Sequence, residues 1–300
     1  MPTPAVTDEV REGARLLARL IEPLVGQVYF SPECHARYAA LGFNGSPGTT
    51  SGGVALPDGA AYFTSRGSAL GQAPGELVAA AFGVFNIEVV VPSVAFGWSV
   101  TDAATIARER LLGAVEQLER ILGAAPDGID RANELLGRAV APLEPWGRAL
   151  FAGTLSQPLP GSPMGDLFRL GDRLREFRGD SHIAAWVAAG LDATEIGLLT
   201  EPYWGVPSRT YIRTRAWSDA QLDAAEARLR AAGHLADGAL TESGRALRES
   251  IELATDAQMA PAVTALGTDL AELAALLEPW AKAVMDAGGY PPSPLAITRG

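Results

Sequence analysis

The segment FRGDSHIAAWVAAGLD, residues 177–192, places a histidine beside groups that can orient it. Asp180 or Ser181 can cap a helix that begins here, which would put His182 in the first helical turn. A helix N-terminus disfavours the imidazolium, so the ring stays neutral near pH 7 and can act as a general acid or base, with Asp180 orienting it. The alternative is a structural role, in which the cap is followed by a partly buried histidine whose ring nitrogens are hydrogen-bonded within the protein. The sequence leaves both open.

Tyr62 and Arg66, in the stretch YFTSRGSALG, form the second candidate pair. Positions 62 and 66 share a face in a strand and also in a helix, so the phenol and the guanidinium are neighbours in either case. Together they suit a carboxylate, a phenolate or a carbonyl oxygen, and Arg66 would bind the oxyanion in a reaction. The alternative is a packing tyrosine beside an ion-paired arginine.

Glu33 and several aromatic and polar residues complete the candidates. Glu33 follows Pro32 and is suited to the first turn of a helix. Cys34 stands next to His35, but neighbours in sequence do not face each other on a helix, so a nucleophilic pair is not favoured. Core packing is the default for the aromatic residues, and a pocket lined with them is the alternative. The remaining ligand-binding candidates are Asn86, Trp98, Trp186, Tyr211 and Arg215.

The composition limits the classes of protein that fit. The chain has 300 residues and a formal net charge of −11, so a polyanion is repelled unless the cations gather on one face. Every basic side chain except Lys282 is an arginine, as in proteins from GC-rich genomes, so a single arginine carries less functional weight. The one cysteine excludes an internal disulfide and a multi-cysteine metal site.

Targeting signals and cofactor motifs are absent from the sequence pattern. The first residues lack the basic start and apolar core of a signal peptide, and no window approaches 18 uninterrupted apolar residues. We therefore expect a cytoplasmic protein without a membrane partner. No phosphate-binding loop, dinucleotide fingerprint or zinc-protease motif is present, so no cofactor and no metal is expected.

Helical spacing dominates the rest of the chain. Residues 43–61 are a loop rich in Gly, Ser, Pro and Thr, and residues 87–98 mix β-branched and aromatic residues around Pro92, which breaks any central strand. Thr101 is a fair N-cap. The pattern predicts helices over 8–25, 75–86, 102–123, 129–150, 164–177, 180–190, 193–200 and, as a long amphipathic helix, 263–280.

Residues 217–256 carry the most informative pattern. Ser218 caps a helix that Gly233 ends, and HLADGALT then predicts a two-stranded ribbon that turns at Asp237–Gly238. Thr241 starts the next helix. This order is that of a winged helix-turn-helix, and it resembles the MarR family, in which LT..G opens the helix after the wing.

A weak internal repeat predicts two copies of this unit. YAALGF is followed by Tyr-x-x-x-Arg and an apolar helix, and a similar succession occurs from WVAAGLD onward; chance similarity in an Ala-rich chain is the alternative. We expect a mainly α fold with short β-ribbons, as two winged-helix-like halves joined by long helices. The predicted units are 1–125, an N-terminal winged-helix-like half; 126–163, a connecting helix and linker; 164–256, a C-terminal winged-helix domain; and 257–300, a helix and tail.

The charge of the predicted helix-turn-helix argues against DNA binding. Residues 217–256 contain eight acids and four arginines, a net of −4, and the wing, His234 to Leu240, has no arginine or lysine. Arg209, Arg213 and Arg215 form a basic cluster just upstream, where a strand would place the last two together; a solvated or salt-bridged strand is the alternative. We therefore expect a scaffold rather than a DNA reader.

The chain as a whole resembles an actinobacterial family described only as a helix-turn-helix family, often found near biosynthetic genes. The resembling stretches are YFSPE at 29–33, AYFTSRGSALG at 61–71, LREFRGDSHIAAWVAAGLD at 174–192 and LTESGRALRESIELATD at 240–256. Relatives often carry histidine where this chain has Gln27. The resemblance therefore implies that no two-histidine site for haem or metal is intact here.

The expected function is small-molecule binding in a pocket between the two halves. The hypothesis favours a cofactor-independent enzyme of specialised, natural-product metabolism that acts on an aromatic or polyketide-like substrate, with His182 as acid or base and with Arg66 and Tyr62 on an oxyanion. The alternatives are a ligand-responsive, MarR-like transcriptional regulator and a ligand-sequestering resistance protein. A homodimer stays open, because the long C-terminal helix can pair with a second copy or pack on its own chain.

Overall fold

The computed structural model describes residues 7–50 and 53–292. Within those residues the fold is mainly helical, and its strands form one two-stranded antiparallel ribbon. The predicted fold class, mainly α with a short β-ribbon, is confirmed.

The elements follow one another with short connections. The helices are α1 Asp8–Gly26, α2 Pro32–Leu41, α3 Gly59–Gly67, α4 Gly75–Phe82, α5 Ile87–Val100, α6 Ala103–Leu122, α7 Ile129–Val140, α8 Ala149–Ser156, α9 Pro163–Ala188, α10 Ala193–Tyr203, α11 Asp219–Ala231, α12 Glu242–Gln258, α13 Ala260–Leu266 and α14 Leu270–Asp286. The ribbon is β1 Leu235–Ala236 and β2 Ala239–Leu240, and 3₁₀ turns occur at Gln27–Tyr29, Ser68–Leu70, Ile212–Arg215 and Gly267–Asp269.

Helix α9 lies at the centre of the fold. It packs against α1, α6, α7, α8 and α12, and it is buried along its length, from Met164 to Trp186. The prediction of two helices that break before Asp180 is wrong, because α9 continues through Gly179. The Asp180 carboxylate accepts the backbone N–H of Phe151 on α8 instead of capping its own helix. Packing on several sides outweighs the local capping signal.

One hydrophobic core joins helices from both ends of the chain. Its buried residues come from nine helices, α1, α2, α3, α6, α7, α8, α9, α13 and α14, and from the segments between them. The helix-turn-helix segment, from α10 to α12, has a smaller cluster of its own, built on Leu199, Ile212, Leu222 and Leu229. The predicted domain boundaries stay a prediction.

The helix-turn-helix segment has the predicted order of elements. Ser218 caps α11, and the side chain of Gln221 accepts the Ser218 N–H at 3.0 Å to complete a capping box. Asp237 and Gly238 both have positive φ, 50° and 77°, as a two-residue hairpin turn requires. Thr241 then caps α12. Local signals therefore suffice to specify this part of the fold.

Four local predictions are wrong. Residues Ile212–Arg215 form a 3₁₀ turn rather than a strand, and in this turn the guanidinium of Arg215 stacks on Tyr211 four residues earlier. The N-cap of α6 is Asp102 rather than Thr101, because its carboxylate accepts the Thr105 N–H at 2.9 Å. The helix predicted over 129–150 ends at Val140, before a proline. The long C-terminal helix is interrupted at Gly267, whose φ is 51°.

The N-terminal half contains less β-structure than the predicted repeat implies. Thr49 and Ala55 form an isolated antiparallel bridge, and α3 begins at Gly59, within the predicted loop. Residues 51 and 52 of that loop lie outside the described residues. The duplication stays a prediction.

One helical segment, Ala260–Asp286, is long and apolar enough to cross a membrane by length and composition. Counting the bent helix pairs α5–α6 and α9–α10 as single spans raises the number to three within the described residues. The segment combines α13 and α14, and its residues Leu273, Leu277 and Val284 are buried in the core of the chain. The absence of a membrane partner stays a prediction.

The close contact between α3 and α5 offers a test of the packing. A Cβ on Gly97 would lie 1.9 Å from Thr64 Oγ1, whereas a Cβ on Gly137 in α7 would meet nothing within 4 Å. Gly97→Ala should lower the free energy of unfolding by about 2 kcal/mol, and Gly137→Ala should raise it by about 0.5–1 kcal/mol. Urea unfolding followed by circular dichroism measures both, and equal effects of the two substitutions would contradict this packing.

Candidate functional site

Buried ion pairs connect α9 to the helices around it. The Arg66 guanidinium on α3 binds the Glu176 carboxylate on α9 through two contacts, 2.9 Å and 2.6 Å. Arg110 on α6 binds Asp172 on α9 in the same bidentate way, at 2.8 Å and 3.0 Å. Burial opposes ionisation of Asp172 and Glu176, but the facing guanidinium groups outweigh it, and the pKa of each carboxyl is lowered. Both acids are therefore ionised at neutral pH.

Tyr29 lies between these pairs. Its hydroxyl accepts hydrogen bonds from Arg110 Nη2 at 3.3 Å and from Arg175 Nη1 at 3.4 Å. Burial raises its pKa to about 12, so it remains a phenol at neutral pH. Arg175 also binds the Glu22 carboxylate on α1, with its Nε 2.9 Å away. The network thus holds α1, α6 and α9 together through charge.

A cavity of about 170 Å³ opens beside this network, between α1 and α9. Its lining combines an apolar part with charged groups that converge from three helices. The apolar residues are Leu17, Ala18, Ile21, Leu174 and Met259, and the charged ones are Glu22, Arg66, Arg175 and Arg178. Such a lining suits a small molecule with an apolar body and an anionic group.

Arg178 differs from the other cavity arginines in its unused donor. Its Nη2 lies 3.0 Å from Glu252 and 3.2 Å from Asp256, both on α12. Its Nε is buried and has no hydrogen-bond partner. Arg66 and Arg175, by contrast, each use Nε on a carboxylate. A buried donor without an acceptor costs free energy, so Arg178 is the group best placed to gain from a bound anion.

Four of the predicted site residues form one chain of contacts. Arg66 Nη1 lies 3.4 Å from the Tyr62 hydroxyl, which confirms the predicted neighbours. The Tyr62 ring lies 5.4 Å from Phe85, and the Arg215 guanidinium lies 4.6 Å from the centre of Phe85 and 4.4 Å from that of Tyr211. Phe85 therefore connects Tyr62 to Arg215. An aromatic wall therefore extends from the edge of the cavity to the helix-turn-helix segment.

Hydrogen bonds to main-chain oxygens hold the parts of this wall around Phe85 and Arg215 together. The Asn86 N–H donates to Arg215 O at 3.0 Å, and Asn86 Nδ2 donates to Ala216 O at 3.1 Å. The Trp217 indole N–H donates to Val84 O at 2.9 Å. Asn86 thus has a positioning role between the α4–α5 connection and the segment before α11.

His182 and Asp180 do not form the predicted acid–base pair. His182 Nδ1 lies 3.1 Å from Thr255 Oγ1 on α12, whereas Asp180 accepts the Phe151 N–H at 2.9 Å. Residues two apart point to opposite sides of a helix, so Asp180 cannot orient the ring. Burial lowers the pKa of His182 to about 4, which makes the imidazole neutral for a different reason than the predicted helix N-terminus. His182 does not line the cavity.

Glu33, Trp98 and Trp186 lie apart from this cavity. Glu33 is in the first turn of α2, as predicted, and binds Arg120 at 2.5 Å. The Trp98 indole donates to a backbone carbonyl, and Trp186 packs in a separate cluster with Ile196. Neither tryptophan lines the cavity.

Neither Cys34 nor the position of Gln27 supports a reactive or metal site. Cys34 is buried, and burial raises the pKa of its thiol to about 12. Gln27 is buried and hydrogen-bonds to Ala114 O and to the Gln117 side chain. Within residues 7–50 and 53–292, no group of three His, Cys, Asp or Glu side chains could hold a metal ion.

Two of the three arginines in the basic cluster before α11 are paired with acids. Arg209 binds Asp223 at 2.6 Å and also binds Glu226, and Arg213 binds Asp219 at 2.6 Å. This confirms the salt-bridged alternative for these two residues. Their charge is used within the segment, and the exposed face of α11 offers little to a phosphate backbone.

Comparison with known proteins decides the family. A family model described as a helix-turn-helix family matches residues 14–291, nearly the whole chain. The chain belongs to the helix-turn-helix family. No curated protein and no solved structure gave a significant match to this member of the family.

Sequence reasoning missed Glu22, Arg175 and Glu176 in this helix-turn-helix family member. Glu176 lies 110 positions from its partner Arg66, and Glu22 lies 153 positions from Arg175. The available signal was the density of charges in LREFRGD, which is unusual for a helix that packs on several sides.

Asp180 and Asp172 give a matched test of the buried charges. Burial raises the pKa of Asp180 from 3.8 to about 7. The folded state therefore keeps a proton that the unfolded state loses, and stability falls as pH rises from about 4 to about 7. Asp180→Asn removes this loss and should raise the free energy of unfolding at pH 8 by on the order of 2 kcal/mol.

The control substitution acts in the opposite direction. Asp172→Asn leaves the Arg110 guanidinium without its carboxylate and should lower the free energy of unfolding by about 3–5 kcal/mol at pH 8. Urea unfolding of both variants between pH 4 and pH 8 checks the pair. A loss of stability of the same size in Asp180→Asn at pH 8 would contradict this account of Asp180.

Proposed function

We propose that the protein binds a small carboxylic acid, with an aromatic ring or a short aliphatic body, in the cavity between α1 and α9. The cavity brings Arg66, Arg175 and Arg178 together above an apolar floor, and this combination is the observation that carries the proposal. The body of the ligand packs on Leu17 and Ile21. Its carboxylate accepts hydrogen bonds from the guanidinium of Arg178, which lines the cavity.

The size of the cavity limits the ligand. A cavity of about 150 Å³ in other proteins takes up benzene, and this one has about 170 Å³. A single ring with one carboxylate fits that volume. Of the expected aromatic or polyketide-like substrates, one with several rings would exceed this volume, so the proposal names a single-ring acid.

The proposal concerns binding rather than a reaction. His182 and Asp180, the expected acid–base pair, have different partners and lie outside the cavity lining. Arg66 is already paired with Glu176, so its role in the proposal is to place a positive charge near the ligand. An enzyme of natural-product metabolism, a cytoplasmic location, an actinobacterial origin and a homodimer stay predictions from the sequence.

Titration calorimetry with benzoate and phenylacetate tests the binding proposal. Both acids should bind saturably, and neutral benzamide should bind at least about tenfold more weakly because it lacks the charge that Arg178 recognises. Arg178→Gln should weaken benzoate binding about tenfold or more. Ala18→Leu should abolish binding, because the added side chain occupies the cavity.

Arg228→Gln is the matched control for Arg178→Gln. Arg228 also binds two acids, Asp192 and Glu195, but it lies on the helix-turn-helix segment, away from the cavity. Its substitution should leave the benzoate affinity unchanged. The proposal fails if neither acid binds the wild-type protein, or if Arg178→Gln and Ala18→Leu bind benzoate as the wild type does.

A ligand-responsive regulator that binds DNA is the second candidate, and the family match together with the α10–α11–ribbon order favours it. The MarR-like character of residues 217–256 belongs to this candidate as a prediction. Against it stand the ion pairs that occupy Arg209 and Arg213.

Fluorescence anisotropy with a labelled duplex from the region upstream of its own gene separates the two candidates. With Arg209, Arg213 and Arg228 paired to acids, we expect no complex tighter than non-specific binding, about 10⁻⁴–10⁻⁶ M. A nanomolar complex that weakens steeply with added salt would support the regulator instead. A duplex of scrambled sequence serves as the control.

A further inference from the structure

Three arginines are buried within the described residues, and one of them has no carboxylate partner. Arg110 pairs with Asp172, and Arg248 pairs with Glu252. Arg169, which is 5 % exposed, forms no ion pair. Taking a guanidinium out of water without a counter-charge costs several kcal/mol. The position of Arg169 therefore points to a missing negative group.

Arg173 adds a second uncompensated charge on the same face of α9. It lies one helical turn after Arg169 and forms no ion pair either; its Nη2 donates to Gln157 O at 2.8 Å, and its Nε lies 3.4 Å from Thr154 O. The nearby acids, Asp166 and Asp172, form no ion pair with Arg169 or Arg173 among the described residues. Asp172 has both oxygens on Arg110, and Asp166 accepts the N–H of Gly161 at 2.8 Å.

Gln157 occupies the place of the missing anion. Its side-chain oxygen accepts a hydrogen bond from Arg169 Nη1, while Arg169 Nε is buried without a partner. Gln157 belongs to the connection after α8 and is partly exposed. A neutral amide satisfies one donor and cancels no charge. A solvent-borne anion that displaces this side chain would reach both guanidinium groups.

We propose that Arg169 and Arg173, covered by the side chain of Gln157, form a binding site for a phosphate group. Two positive charges without carboxylates match the charge of a phosphate near neutral pH, about −1.5 to −2. Its oxygens can accept hydrogen bonds from both guanidinium groups at once, since the planar fork of arginine suits phosphate. This site is separate from the cavity between α1 and α9, and its occupant does not depend on the carboxylate proposed there.

Calorimetric titration of the full chain with sodium phosphate, at an ionic strength held constant with sodium chloride, tests the site. We expect saturable binding of one phosphate per chain. Arg169→Gln and Arg173→Gln should each weaken it about tenfold or more. Gln157→Ala should tighten it about threefold to tenfold, because the competing amide is gone. A parallel titration with glycerol 3-phosphate identifies the source: tighter binding indicates an organic phosphate, and equal binding indicates the free ion.

Arg148→Gln is the matched control, because Arg148 also forms no ion pair but donates to Ser181 and Gln258, away from Gln157. It should bind phosphate as the wild type does. If Arg169→Gln does not fold, Arg173→Gln and Gln157→Ala still decide the question, because both side chains are partly exposed. Absence of phosphate binding to the wild type, equal binding to Arg173→Gln, or weaker binding to Gln157→Ala would overturn the proposal.

Discussion

Several charges on α9 are buried, and a buried charge is costly unless a group of opposite charge on another helix balances it. Glu176 balances Arg66 of α3, Asp172 balances Arg110 of α6, and Arg175 is balanced by Glu22 of α1. Losing one partner of such a pair leaves a buried charge exposed to a low dielectric, which costs about 3–5 kcal/mol. The pairs therefore select one arrangement of these helices around α9 and exclude others that would bury the same apolar area.

The incomplete parts of this balance are where small anions have a reason to bind. Arg178 keeps a buried donor without an acceptor, and it lies at a cavity with an apolar floor. Arg169 is buried beside a neutral amide. In both places the protein provides the desolvated cation in advance, so an anion gains a strong hydrogen bond; at Arg169 only the side chain of Gln157 has to move.

The parts of the fold that depend on local signals could be predicted from sequence, and the rest could not. The cap at Ser218 and the turn at Asp237–Gly238 specify their elements through neighbouring residues only. At Asp180 the same kind of signal misled, because its carboxylate serves another helix. Tyr62 and Arg66 are four residues apart, so either local geometry brings them together. Glu176 was out of reach, since its partner lies 110 positions away.

The contacts between the α4–α5 connection and the segment before α11 use backbone atoms at nearly every step: Asn86 N–H to Arg215 O, Asn86 Nδ2 to Ala216 O, and the Trp217 indole to Val84 O. A carbonyl oxygen is present whatever residue carries it. Replacement of Val84, Arg215 or Ala216 by most other amino acids would leave the acceptors in place. The placement of the helix-turn-helix against the rest of the chain can therefore survive extensive sequence divergence, so relatives with few identical residues here can still share this architecture.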